Sequence, residues 1–515
     1  MSSPTPSHQG ILVVLAAWSL AAAGAWAEVK PHPLFSDGAV LQRGRAIPVW
    51  GAADEGEKIT IAIKDAKAET VAREGRWRVD LPAMKEGGPF EMTIAGRNTI
   101  TLKNVMIGEV WIASGQSNMD MVVADCDRAP EEIANATYPQ IRLCKVPREA
   151  ADEIRPTVKV SWQECGPRTV GNLSGVGYFF ARDLHASLKV PVGLIDAAYG
   201  GTPAEAWMSP EAVRSRPEFQ PILDEYAQQV NDSPRAMAQY HADIAAWDKS
   251  AAEAKATGKS PPPRPQLPMG PFNWRRPSGL YRGMIAPLAP YAMRGVIWYQ
   301  GERNTPRAKQ YRTLFPTLIA DWRKLWPQGD FPFLFSQLAP FGSPLKEPRE
   351  SMWAELREAQ LLTSQTVPNT AMAVITDVGD EKDIHPKRKQ AVGARLALAA
   401  RAIAYSESVP YRGPTYRSHE VKGDRIILSF DHVGAGLECR GTELQGFAIC
   451  GADKKFVNAK AEIVGGSIEV HSPQVAQPIA VRFGWAEYPI VNLWNKDGLP
   501  ASPFRTDDFP SPHAP

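Results

Sequence analysis

Val105-Met106-Ile107-Gly108-Glu109-Val110-Trp111-Ile112-Ala113-Ser114-Gly115-Gln116-Ser117-Asn118-Met119 is a near-continuous apolar run that breaks into a polar, glycine-containing turn. A strand buried on both faces of a parallel sheet reads this way, and the carboxyl ends of such strands are where α/β folds place their ligands. Ser117 is therefore the candidate nucleophile. Alone, a serine at a strand end only caps a helix or closes a turn. Catalysis also requires a base, an orienting carboxylate and oxyanion donors, each delivered by another strand.

The remaining parts are spread along the chain. The stretch 370–376, Thr-Ala-Met-Ala-Val-Ile-Thr, reads as another strand, followed by a loop ending in Asp383-Ile384-His385-Pro386. From 387 to 403, Ala391, Val392, Leu396 and Ala399 recur at helical spacing with Pro386 near the first turn, so His385 stands in a loop just before a helix. A histidine two residues after an aspartate fits a base held in one tautomer by a carboxylate. The alternative is one more surface imidazole among nine.

Between these ends lie the donors. Residues 191–199 are strand-like and break into Gly200-Gly201-Thr202, where a bare backbone can approach an anion. Residues 294–299 form another strand, broken by Gln300-Gly301-Glu302-Arg303-Asn304. An acyl-transfer site needs a backbone N–H and a neutral amide aimed at the developing oxyanion, typically worth ~3 kcal/mol per donor. A tight turn and solvated amides are the plainer readings.

Taken together, Gly115-Gln116-Ser117-Asn118-Met119, Gly200-Gly201-Thr202 with Glu205-Ala206-Trp207, Trp298-Tyr299-Gln300-Gly301-Glu302-x-Asn304 and Asp383-Ile384-His385-Pro386 resemble the sialate O-acetylesterases. These are the carbohydrate-esterase branch of the SGNH hydrolases. The segments 34–43, 484–486 and 498–507 extend the resemblance over nearly the whole mature chain. It implies an α/β fold with a flavodoxin-like three-layer core and a parallel sheet. It also implies Ser117 as nucleophile, His385 as base and Asp383 as orienter, with Asp380 in reserve. Oxyanion donors fall on Ser117, Gly200 and Gly201, with the amide open between Gln300 and Asn304. Gln116, Glu302, Arg303 and Arg357 fall at the substrate pocket, Arg357 through a helix similar to the family's Leu-Arg-Glu-Ala-Gln helix. Two positions depart from the pattern: Arg303 replaces a usual Ser, and Arg282 a usual Asn. Both are expected to put a guanidinium near the pocket, suited to a carboxylate or a sugar face.

The chemistry implied is removal of O-acetyl groups from acetylated carbohydrates through an acetyl-Ser117 intermediate, with sialic acid or an acetylated xylan or xyloglucan as substrate. No metal or organic cofactor is called for, and no ligand cluster of metal-site spacing is seen. Two rival classes remain. A glycoside hydrolase would use a carboxylate pair such as Glu302 and Glu358; a non-catalytic glycan-binding protein would need only the β regions.

Composition bounds the rest. A chain of 515 residues is long for one core. With 58 Lys plus Arg against 56 Asp plus Glu, the net charge of +2 gives no field pointing to nucleic acid. An apolar stretch over 11–23 and Ala25-Trp26-Ala27 before Glu28 read as a signal peptide, 1–27, for a secreted or periplasmic protein without a membrane anchor after cleavage. A β-sandwich is expected over 28–103, the catalytic core over 104–208 and 273–405, a helical and Pro-rich insertion over 209–272, and a β-rich region over 406–515. Five cysteines permit up to two bridges, Cys439 with Cys450 among the options, or free buried thiols.

Overall fold

The apolar run is the carboxyl part of one longer strand, Thr99–Gly115. A computed structural model describes residues 28–512 of the chain, so the expected signal peptide lies outside the described residues. The first part of this strand carries exposed positions and pairs antiparallel with Gly87–Ala95. Val40–Gln42 joins it in parallel. Its second part is buried throughout and takes parallel partners on both sides, Val192–Ala198 and Gly295–Tyr299.

From edge to edge, the main sheet runs Trp162–Cys165, Tyr138–Lys145, Val192–Ala198, Thr99–Gly115, Gly295–Tyr299, Phe333–Ser336 and Thr370–Ala373. Only the Trp162–Cys165 pairing in this series is antiparallel. Successive side chains face opposite sides of a strand, and both sides are covered here. Val110, Ile112 and Trp298 enter one core with Phe315, Trp322 and Phe333. Trp111, Ala113, Ile297 and Tyr299 enter the other with Phe179, Phe180 and Leu396. Each fully buried apolar side chain of this size contributes ~1.5–3 kcal/mol.

The helices follow from the same patterning. Gly175–Leu188 starts where the Ser174 hydroxyl accepts the Gly177 N–H at 3.0 Å. It packs on Lys389–Tyr405, closely enough that a Cβ on Gly393 would come within 2.6 Å of Phe179 Cβ. Ala308–Leu325, with Tyr311, Leu314, Phe315, Leu318, Ile319 and Trp322 buried, lies with Met352–Thr366 on the other face.

Connectivity then fixes where a ligand can go. From Thr99–Gly115 the chain builds one side of the sheet, then crosses to build the other from Gly295–Tyr299 onward. The crevice of such a sheet lies outside the carboxyl ends at this switch point, which is the Ser117 corner.

Within the insertion, Gln220–Ala256 is one long helix with mostly exposed side chains. The Pro-rich stretch after it folds back rather than running on as an extended spacer: Trp247 Nε1 donates to the Pro262 carbonyl at 2.8 Å, and the Arg264 guanidinium lies 5.6 Å from the Trp247 ring centre. Beyond the main sheet and its helices, Thr415–Lys422, Arg425–Asp431, Ser467–His471 and Lys460–Val464 make an antiparallel sheet over its own apolar cluster. All five cysteines are free thiols. Cys439 and Cys450 stand in different sheets, because Leu437–Cys439 pairs with Leu493–Asn495 and Phe447–Cys450 with Ala480–Phe483. Among the described residues no helix is long and apolar enough to cross a membrane.

Candidate active site

Gly115 is in register with Ala198 on one side and Tyr299 on the other. The Gln116-Ser117, Gly200-Gly201 and Gln300-Gly301 turns therefore leave the sheet at one level. A side chain at 115 is forbidden: its Cβ would stand 2.2 Å from the Tyr299 carbonyl oxygen, and φ is +134°. Gln116 N–H donates to that carbonyl at 2.9 Å, and Tyr199 N–H donates to the Gly115 carbonyl at 3.1 Å. The chain then enters a short helix, Ser117–Asp120, with Ser117 half-buried at its first position.

The diglycine corner packs on this turn, since a Cβ on Gly200 would lie 3.3 Å from Ser117 Cβ. Its two N–H groups differ. The one on Gly200 donates to Asp120 Oδ2 at 3.2 Å, and that carboxylate is held by Arg148 Nη2 at 2.6 Å. The N–H groups of Gly201 and Ser117 have no partner among the described residues.

Three amides stand at the corner: Gln300 has both amide N–H groups engaged and Asn304 one of its two. Gln300 Nε2 donates to Asn304 Oδ1 at 2.6 Å and to the Thr202 carbonyl at 3.3 Å, while its Oε1 accepts the Tyr311 hydroxyl at 2.9 Å. Asn304 Nδ2 donates to Glu205 Oε2 at 3.0 Å, and its Oδ1 also accepts the Ala204 N–H at 2.9 Å. Both amides are buried and knit the second and third motifs together. Gln116 differs: Oε1 accepts the N–H groups of Gly301 at 3.4 Å and Arg303 at 3.3 Å, leaving Nε2 without a partner among the described residues.

The histidine loop is brought up by Asn118, whose Nδ2 donates to the Ile384 carbonyl at 3.0 Å, one peptide before His385. Asp383 Oδ1 accepts the His385 N–H at 2.8 Å and lies 3.4 Å from Nδ1 of the ring. Asp380 Oδ1 accepts the N–H groups of Lys382 and Asp383 and so shapes the loop rather than the imidazole. Burial lowers the His385 pKa below its ordinary value, and the charge of Lys389 lowers it further, against the Asp383 carboxylate.

Of the residues expected to line the pocket, Arg357 is elsewhere. It is fully buried and donates to the carbonyls of Leu338, Ala339, Ala486 and Glu487, pinning the carboxyl-terminal region to the core. Burial pushes its pKa down to about 9. Glu302 is buried, accepting Asn118 Nδ2 at 2.6 Å on Oε1, with Oε2 unpartnered; burial raises its pKa. The exposed Arg303 and the half-buried Arg275 line a cleft with Ile222, Tyr226 and Met269, so the long helix forms one wall. The charge of Arg282 acts on Tyr226, a residue lining the same cleft. Glu358 is ion-paired with both Arg312 and Arg505.

The sequence matches the family model of the carbohydrate esterases, sialic acid-specific acetylesterase, over residues 107–251 and 271–402, more than half of the chain. The chain belongs to this family. It is a carboxylic ester hydrolase. The esterase is 31% identical to the sialate O-acetylesterase of Rattus norvegicus over 84% of each chain, and 28% identical to that of Homo sapiens over 96% of its own length and 95% of the other. Among solved structures it resembles a carbohydrate acetylesterase from Xanthomonas citri, 36% identical with a TM-score of 0.80, over 94% of this chain and all of that one. The stretch that the family model skips, 252–270, is the end of the long helix and its Pro-rich return.

Several residues at the esterase's site carried no expectation. Asn118 was visible only as a letter of the first motif. Asp120 and Arg148 are ordinary charges in the sequence. Lys389 is a fully buried lysine at the start of its helix, where a solvent-facing one is the usual reading. Its nearness to His385 in the sequence is a signal that could have found it.

Proposed function

We propose that the enzyme removes O-acetyl groups from sialic acids by two-step acyl transfer through acetyl-Ser117. The observation that carries this is the double register of Gly115 with Ala198 and Tyr299, which aligns the three motif turns around Ser117. His385 takes the Ser117 hydroxyl proton as the oxygen attacks the acetyl carbonyl, and Asp383 orients the imidazole. The oxyanion is met by the N–H groups of Ser117 and Gly201 and by Gln116 Nε2, a set supported by their lack of other partners. The sugar oxygen leaves with the proton from His385, and water repeats the sequence on the acetyl-enzyme.

The substrate follows from the names of the curated relatives. An acetylated carbohydrate other than a sialic acid is the second reading, supported by the Xanthomonas citri relative, described more broadly as a carbohydrate acetylesterase. Acetate release from acetylated sialic acid and from acetylated xylan or xyloglucan, measured side by side, decides between them. The seven-strand order supports an SGNH-type three-layer core flanked by β regions that buttress it. The apolar stretch over 11–23 and the site after Ala27 support export, which a mature amino terminus at Glu28 would verify.

A further inference from the structure

We propose that Lys389, acting through the Asn118 side chain, is the positioning residue that clasps the Ser117 turn to the His385 loop. The proposal rests on the Ser117–His385 reading above. Lys389 has no solvent exposure. Its stem passes Gly175, where a Cβ would meet Cβ and Cγ of the lysine at an ordinary contact distance of 3.5 Å and clash instead with Cys126 Sγ at 2.5 Å. The ammonium donates to Asn118 Oδ1 and lies 5.4 Å from the centre of the Tyr299 ring. No carboxylate is within ion-pair distance of it among the described residues.

An ammonium can only donate, and an amide presents an acceptor on one side and donors on the other. With Lys389 fixing the oxygen, the Nδ2 donors must point the opposite way. They reach Glu302 Oε1 at 2.6 Å and the Ile384 carbonyl at 3.0 Å. One amide, adjacent in sequence to Ser117, thereby holds the third motif and the peptide leading into His385. Turning that amide over would set Nδ2 against the ammonium and Oδ1 against a carboxylate and a carbonyl, leaving every contact repulsive.

Burying a lysine without an ion pair is costly, so the position demands an explanation beyond packing. The ionisable groups that face it are Cys126, Glu302, Asp383 and His385, with Tyr299 beneath. Burial lowers the lysine pKa to about 8, which still leaves it mostly charged at neutral pH. That charge adds to burial in disfavouring protonation of His385.

The test uses the full chain, an acetylated sugar and 4-nitrophenyl acetate. Lys389→Met keeps the stem and removes the charge and the donors. The expected result is a fall in kcat of about 10- to 100-fold with KM within about twofold, because a loosened base is a misalignment effect. The acid limb of kcat/KM moves to higher pH. Asn118→Ala loses a similar factor, and the double variant is no worse than the poorer single one. Wild-type kcat and an unmoved acid limb in a folded Lys389→Met protein would overturn the proposal, whatever happens to its melting temperature. If Lys389→Met does not fold, Asn118→Ala carries the test, and wild-type kcat in that variant overturns it equally. Ser117→Ala separates the two readings: turnover surviving there removes the nucleophile assignment on which the clasp depends.

Discussion

The two halves of the site are built by different means. The Ser117 corner is set by the sheet itself: Gly115 is locked between two strands, and backbone hydrogen bonds to Tyr299 and from Tyr199 hold the turn. The His385 loop has no such frame. It carries exposed carboxylates and a half-exposed imidazole, shaped by Asp380 and Asp383 and tied to the corner through Asn118. One half is therefore fixed by topology and the other by a few side-chain contacts. Changes to the backbone frame of the first should cost stability as well as rate, whereas changes to the Ser117 side chain or to the second half should cost mainly rate.

The sharpest way to break this contrast is Ser117→Ala. Its loss of acetate release should be about 10⁴- to 10⁶-fold with an unchanged unfolding midpoint; appreciable turnover would show that the corner is not where the chemistry happens. Asp383→Asn comes next, with a fall in kcat/KM of about 10²- to 10⁴-fold and little change in stability. The Asp383 carboxylate raises the His385 pKa, so removing it lowers that pKa and moves the acid limb of the pH profile down. In the unaltered enzyme that limb should already lie below the ordinary histidine value of about 6.5. Gly115→Ala addresses the other half. With Cβ forced against the Tyr299 carbonyl, urea unfolding should show a loss of about 2–4 kcal/mol, and wild-type stability would mean that the corner is softer than its register implies. The smallest effect belongs to the rim: Arg303→Ser should raise KM about fivefold for acetylated sialic acid and leave a neutral acetylated sugar unaffected. Equal losses on both would end the idea that this guanidinium reads an acidic sugar.

Much of the frame was legible because periodicity and punctuation are local. The helix expected over 387–403 is Lys389–Tyr405, and the strands expected over 191–199 and 294–299 are Val192–Ala198 and Gly295–Tyr299. The boundary expected at 103 is not a break in the backbone, since one strand runs through it without the Gly, Pro or polar spacing that marks a linker. The site was legible as four motifs but not as a set of partners. Gln300 and Asn304 both look like free amides in a loop, yet their partners Thr202, Ala204 and Glu205 lie about a hundred residues upstream. Arg357 looked like a pocket residue because its helix is near the site, and only the path of 486–487 shows that the core claims it. Lys389 was missed because hydropathy says nothing about which lysine a fold will bury.

The continuous strand Thr99–Gly115 has a practical consequence for anyone seeking a minimal hydrolase. A polypeptide started at Val105 would shed the hairpin partner Gly87–Ala95 and the Val40–Gln42 pairing, uncovering Met106 and Ile107. The beam that leads into Ser117 would then be anchored at one end only. Amino-terminal trimming should accordingly yield insoluble material rather than a smaller esterase, whereas shortening the exposed tip of Gln220–Ala256 offers the safer route to a reduced chain.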